Sequence, residues 1–254
     1  KRWSRPRMPP MILLILKFLA EELQRCRMVE CPTRVKDVGE VFRLDAKADN
    51  QEVAIGGWRS VGVKRTEDAP WFAVRLNRQN APWAFERGEP FRTIASLELM
   101  ATLVGLMILM PETEARSEAA ATLTFTAGTD NQGNSHLLDR MLTTKYPLGV
   151  VLMEVAHQCR VRGLTLRADW VPRQENQEAD VLTNLEFKSF DESKRLDVDL
   201  DCLDFGVMRD LFEVGDNYLA ELTALKEEAK RTAEVRGNKK RKKAGDALRD
   251  REPW

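Results

Sequence analysis

The sequence predicts an α/β fold: one mixed five-stranded sheet flanked by helices, with helical extensions before and after it. Three observations lead there. Residues 41–46 alternate, with Val41, Arg43 and Asp45 on one side and Phe42, Leu44 and Ala46 on the other, which is the period of a strand. Residues 93–110 are nearly all apolar up to Pro111, as in a helix buried on most of its faces. Beyond them, strand-like and helix-like segments follow one another to residue 187.

The elements can be justified in order. Met11 to Arg27 reads as a helix too apolar for a solvated surface, so it is expected to pack on another surface. A first strand from residue 39 is followed by the polar turn Asp49-Asn50-Gln51. A second strand, Val53 to Val63, contains Gly56-Gly57-Trp58, which signals a bulge or a close backbone approach. Trp71 to Leu76 is a third strand, ended by the Asn80-Ala81-Pro82 turn. The apolar helix covers Thr93 to Met110. Ala121 to Thr129 is a strand, Gln132 to Thr143 and Leu148 to Gly163 are helices, and Thr165 to Val171 is the last strand. Gln177 to Phe187 is a short helix that Asn176 is suited to cap.

The order is therefore βββαβααβα. It divides the chain into a helical segment at 1–38, an α/β domain at 39–187, an acidic linker at 188–206, a helix at 207–235 and a charged, disordered tail at 236–254. On this division residues 205–254 are dispensable for any chemistry.

Composition narrows the function less than the motifs do. Lys plus Arg and Asp plus Glu both number 40, so net charge selects no polyanionic partner. Basic residues concentrate at Lys1, Arg2, Arg5 and Arg7 and in the 239–243 block, which reads first as solvated tails and second as nucleic-acid contact or nuclear import. Four cysteines without a CxxC pair or a zinc-spaced His imply free thiols and an intracellular, reducing setting. The apolar run Leu99 to Met110 is short for a bilayer span, so no membrane partner is expected.

Four carboxylates carry the chemistry. They are Asp45 in Phe42-Arg43-Leu44-Asp45-Ala46, Glu98 in Ser96-Leu97-Glu98-Leu99-Met100-Ala101, Asp130 in Thr129-Asp130-Asn131, and Asp180 in Glu178-Ala179-Asp180-Val181-Leu182. Alone, Asp45 and Asp130 read as turn or cap residues, and Asp180 as a favourable charge in the first turn of a helix. Glu98 is harder to place so, because burying a carboxylate in an apolar helix costs several kcal/mol unless it is paired or ligates a cation. Oxygen donors without His or Cys favour Mg²⁺ or Mn²⁺ over zinc. A pair of such ions suits in-line displacement at a phosphodiester.

An Asp on the first strand, a Glu in the first long helix, an Asp ending the fourth strand and an Asp in the last helix together resemble type 1 ribonuclease H over residues 39–187. The most specific part is the stretch Trp170-Val171-Pro172-Arg173-Gln174-Glu175-Asn176-Gln177-Glu178-Ala179-Asp180-Val181-Leu182, which resembles the ribonuclease H domain that follows reverse transcriptase in retroelements. The Asp130-Asn131 pair, and a loop Pro172-Arg173-Gln174-Glu175 without the His that many members carry, are most similar to the tyrosine-recombinase retrotransposons of the DIRS group. The resemblance implies a ribonuclease H-like fold and hydrolysis of the RNA strand of an RNA–DNA hybrid. It implies two Mg²⁺ ions, with Mn²⁺ as a substitute, on Asp45, Glu98, Asp130 and Asp180. It also implies an upstream reverse transcriptase domain, of which residues 1–38 would be the thumb or connection end.

Trp58, Asn131 and Asn134 are candidate substrate contacts, Trp58 reading equally well as core, and Arg173 is a candidate phosphate ligand. Neither Tyr146 nor Tyr218 precedes an Asp-Asp pair, so no polymerase centre is read here. Two other functions stay open: a catalytically decayed or domesticated nucleic-acid-binding domain, and a DNA exonuclease of the same fold. An integrase-like strand transferase ranks last, since it expects another carboxylate order.

Overall fold

The computed structural model describes residues 10–24, 34–49, 52–85, 88–110, 121–143 and 145–214, with positions 224, 227 and 231. The chain forms two compact units, residues 27–209 and residues 1–26 with 210–254. In the smaller unit, α1 (Pro10–Gln24) leaves Ile12, Leu13, Leu16, Leu19 and Leu23 exposed. Residues 208–214 and positions 224, 227 and 231 are helical. The basic segments at 1–7 and 239–243 and the tail expected at 236–254 lie outside the described residues.

The larger unit is built on β1 (Arg34–Ala48), β2 (Val53–Arg59), β3 (Trp71–Leu76), then α2 (Ile94–Ile108), β4 (Ala121–Thr129), α3 (Gln132–Arg140), α4 (Leu148–Arg162), β5 (Leu164–Trp170) and α5 (Gln177–Thr183). The strands form one mixed five-stranded sheet in the order β3-β2-β1-β4-β5. β1 runs antiparallel to β2 and parallel to β4, which in turn runs parallel to β5. This is the mixed sheet flanked by helices that the alternation of segments predicts.

β1 begins at Arg34, inside the stretch assigned to the N-terminal helical segment. Its early residues pair with β4 from Ala121 onward, which gives the long fourth strand a hydrogen-bonding partner along its edge. Two register shifts interrupt that pairing, and at the first Gly39 adopts φ +80° while its N–H donates to Asp37 Oδ1 at 2.9 Å. A positive φ beside an extra residue is a bulge that glycine accommodates at little cost.

The core follows from the two faces of β1 and β2. On one face Phe42 and Leu44 meet α2 at Gly105, where an added Cβ would lie 2.7 Å from Leu44 Cδ2. Every residue from Ser96 to Leu106 is buried, so α2 is surrounded as its composition requires. Residues 90–108 are apolar and long enough to cross a membrane by composition, yet 67% of that stretch is buried within the protein. On the opposite face α5 lies across β1, β2 and β3, and a Cβ on Gly56 would stand 2.9 Å from Leu182 Cβ. The glycine pair is thus a close approach, with Gly57 pressed against Leu44 and the Arg43 carbonyl.

Two further expectations are corrected. α5 stops at Thr183 rather than near Phe187, because Leu185 turns left-handed (φ 59°) and brings the Phe187 ring within 4.8 Å of Trp71. The acidic segment 188–206, read as a linker, is built into the larger unit. Phe190 packs 5.6 Å from Trp71, the Trp71 indole donates to the Asp191 carbonyl at 2.8 Å, and Leu196 N–H donates to the Trp71 carbonyl at 2.7 Å. Its aspartates close local turns, Asp191 accepting from Ser193 N–H and Asp199 from Asp201 N–H. The acidic composition therefore reflects surface turns, while Phe190 and Leu200 face inward.

Candidate metal centre

Parallel pairing of β1 with β4 sets Arg43 opposite Gly128. Two residues further along both chains, Asp45 and Asp130 come together. α2 supplies Glu98 one turn from its start, where α3 is tied to it by the Asn134 amide donating to the Ala95 carbonyl at 3.0 Å. Ligand oxygens of Asp45, Glu98 and Asp130 lie within 4.8 Å of one another. Three carboxylates far apart in sequence are thus held in one spot by one strand pairing and one helix end.

Asp45 and Glu98 are buried, Asp130 is half-buried, and the three crowd one another electrostatically. Asp45 is 7% and Glu98 6% exposed, and Glu98 Oε2 is buried without a hydrogen-bond partner. Burial pushes the Asp45 carboxyl up to about 6, with Asp130 and Asp180 adding to the rise and the Thr183 hydroxyl and Ala46 amide opposing it. Burial also holds Glu98 well above the ordinary carboxylate range, reinforced by Asp45 and Asp130. Asp130 is raised by burial as well, against the pull of Arg173. Such a set fits a hard divalent cation, which would offset most of the cluster's negative charge and give the orphaned Glu98 oxygen a partner.

Asp180 stands beside this trio without joining it. Its Oδ1 accepts from Arg173 Nη2 at 2.9 Å and its Oδ2 from Asn184 Nδ2 at 2.9 Å. Arg173, the candidate phosphate ligand, is engaged with a carboxylate here. The remaining expected contacts have structural work. Trp58 lies in an apolar cluster with Trp71, Ala179, Leu182 and Phe190, away from solvent. Asn131 caps α3 by accepting from Asn134 N–H at 3.2 Å, and Asn134 is 1% exposed, so its amide cannot reach a substrate. Asn176 makes no side-chain cap on α5; its amide instead donates to the Leu44 carbonyl at 3.0 Å, fastening the 172–176 loop to β1.

Three residues that were not singled out support the carboxylates. Thr183 donates to Asp45 Oδ2 at 2.7 Å, the Trp170 indole donates to the Asp130 carbonyl at 3.1 Å, and Asn184 holds Asp180. Trp170 at the end of its strand was a visible signal. Thr183 and Asn184 became supports only when α5 crossed β1.

These shifts set a pH dependence for the metal-free protein. A carboxyl with a raised pKa costs nothing while it is protonated in both states. The cost appears as pH climbs from the ordinary value through the folded one, because the unfolded chain ionises first. For Asp45 the window runs from 3.8 to about 6, worth about 3 kcal/mol. Metal-free protein is therefore expected to melt lower at pH 7 than at pH 4.5 on account of this site. Glu98→Gln should flatten that fall and raise the pH 7 midpoint, at about 2–4 °C per kcal/mol for a domain of this size. A large drop in the Gln variant would show Glu98 to be a structural partner.

No family model and no curated protein matches this chain. Among solved structures it is similar to LC11-RNase H1, determined in complex with an RNA/DNA hybrid, at 15% identity over 57% of this chain and 93% of that one, with a TM-score of 0.39. It is also similar to RNase H1 from the halophilic archaeon Halobacterium salinarum NRC-1, at 18% identity over 60% of this chain and 98% of that one, with a TM-score of 0.34.

Proposed function

We propose that the protein is a metal-dependent endonuclease that hydrolyses the RNA strand of RNA–DNA hybrids, acting inside the cell as the ribonuclease H domain of a retrotransposon reverse transcriptase, nearest the DIRS group. The observation that carries the proposal is the meeting of Asp45, Glu98 and Asp130 at the ends of adjacent parallel strands, with one buried Glu98 oxygen left unpartnered. The ribonuclease H resemblance of the motif from Trp170 to Leu182 supports the choice of substrate.

In this reading Asp45, Glu98 and Asp130 would hold one Mg²⁺ ion, and Asp180 would serve a second. When bound, the ions supply Lewis acidity at the scissile phosphate. The chain's part is orientation. Thr183 fixes Asp45, Trp170 fixes the backbone of Asp130, and β1 and β4 hold both against movement. Fixed carboxylates need no reorganisation as charge develops at the phosphate.

Incubation of the purified chain with end-labelled hybrid, single-stranded RNA and duplex DNA, with and without Mg²⁺, tests this. Internal cuts in the RNA strand of the hybrid alone are expected. Degradation of DNA from its ends would replace the reading with an exonuclease, and hybrid retention without cleavage in Mg²⁺ or Mn²⁺ would replace it with a binding domain.

A further inference from the structure

We infer that Arg173 is a resident cation on the Asp180 side of the centre, and that it must release Asp180 before a second divalent ion can bind there. The inference rests on the metal reading above. Three carboxylates already converge, but Asp180 does not share their spacing, and both its oxygens are taken, one by Arg173 and one by Asn184. Arg173 lies in the single 3₁₀ turn Arg173–Glu175, its side chain is 76% exposed, and among the described residues its hydrogen bond is to Asp180. Its charge reaches further, favouring the ionised forms of Asp130 and Glu98.

The consequence for metal loading is one of charge and of free ligand atoms. A dication on the first three carboxylates leaves the four-carboxylate group negative, and Arg173 halves that remainder. It also covers the oxygen that the second ion would use. The obstacle is shallow, because an ion pair with an exposed partner is readily exchanged. A guanidinium freed from a carboxylate finds an equivalent partner in a phosphate, which it can grip with two parallel hydrogen bonds. Arrival of a phosphodiester backbone therefore exchanges the partner of Arg173, frees Asp180 and raises affinity for the second ion. The second ion enters with substrate, which protects the empty centre from filling unproductively.

The test uses the full chain, stripped with chelator and titrated with Mn²⁺ in the absence of nucleic acid, the free hexaaqua ion being counted by electron paramagnetic resonance. Wild type is expected to bind one ion firmly and a second weakly. Arg173→Gln should bind the second about tenfold more tightly, the scale on which groups just outside the ligands tune metal affinity. Arg173→Lys, which keeps the charge, should stay near wild type, and Asp180→Asn added to Arg173→Gln should remove the gain. The inference is overturned by an unchanged second ion in Arg173→Gln, by a gain that survives Asp180→Asn, or by a Lys variant that behaves like Gln. Separately, a first ion that binds Asp45→Asn as firmly as wild type would remove the metal reading itself.

Discussion

Asp45→Asn is expected to lower hybrid cleavage at least about a thousandfold, roughly 4 kcal/mol of transition-state stabilisation, while the chain stays folded. Asp45 is the centre of the cluster. It sits on the middle strand of the sheet, its carboxylate is almost fully buried, its charge helps to raise Glu98, and Asp130 helps to raise Asp45 in turn. An amide in its place keeps the shape and can still accept from the Thr183 hydroxyl. It cannot supply the charge that brings a dication, or two, into a buried pocket. Because the ionised form is disfavoured by burial, the same substitution should leave the metal-free melting point equal or higher. Single-turnover cleavage in saturating Mg²⁺, with circular dichroism melts in chelator, measures both. Mg²⁺-dependent cleavage of the variant at a wild-type rate would remove Asp45 from the centre, and a collapse of the fold would show its role to be structural.

The largest effect on stability is expected from cutting the chain before residue 206. Glu154 on α4 is fully buried, and its carboxylate accepts from Gly206, Val207 and Met208 N–H at 2.9, 2.8 and 2.8 Å and from Gln158 Nε2 at 2.6 Å. It caps the start of the helix at 208 from inside the domain. Removing residues 205–254 takes away three of the four donors together with the buried Val207 and Met208 side chains. The loss should be about 3–5 kcal/mol, the usual consequence of leaving a buried charge without its partners. That is a large part of the 5–15 kcal/mol that typically holds a domain folded. Glu154→Ala should cost a similar amount by orphaning the three amides.

A chain ending at residue 214 keeps the capped turn. It should melt near the full-length value and cleave at the full-length rate with saturating substrate, weakening only low-salt binding through the lost basic block. Urea melts of the two truncations decide the point. If the chain ending at 204 unfolds at the full-length midpoint, the cap contributes nothing.

The sheet and its helices were legible because they rest on local pattern. Alternation at 41–46, the unbroken apolar stretch of α2, and polar turns between segments each act over a few residues, so a strand or buried helix follows wherever they occur. The four carboxylates were legible because each sits in a short motif on its own element. What those motifs could not carry was distance. Asn176 looked like a side-chain cap for α5, but its oxygen caps no helix N–H and its amide donates to the Leu44 carbonyl of β1. Trp58 beside the glycine pair looked able to meet substrate, but α5 and Phe190 close over it.

Residues 188–206 show the same divide most plainly. Their acidic composition describes surface turns, whereas their place in the domain depends on Trp71 and Glu154, more than a hundred and about fifty residues away by sequence separation. By itself, then, the sequence determined which elements form, which of their faces are apolar, and which four carboxylates are set apart. Only the tertiary structure decided that three of them meet within ligand distance, that Arg173 holds the fourth, and that the acidic segment belongs to the domain. Local preferences act along the chain, while these contacts exist only where strand register and helix packing bring distant residues together.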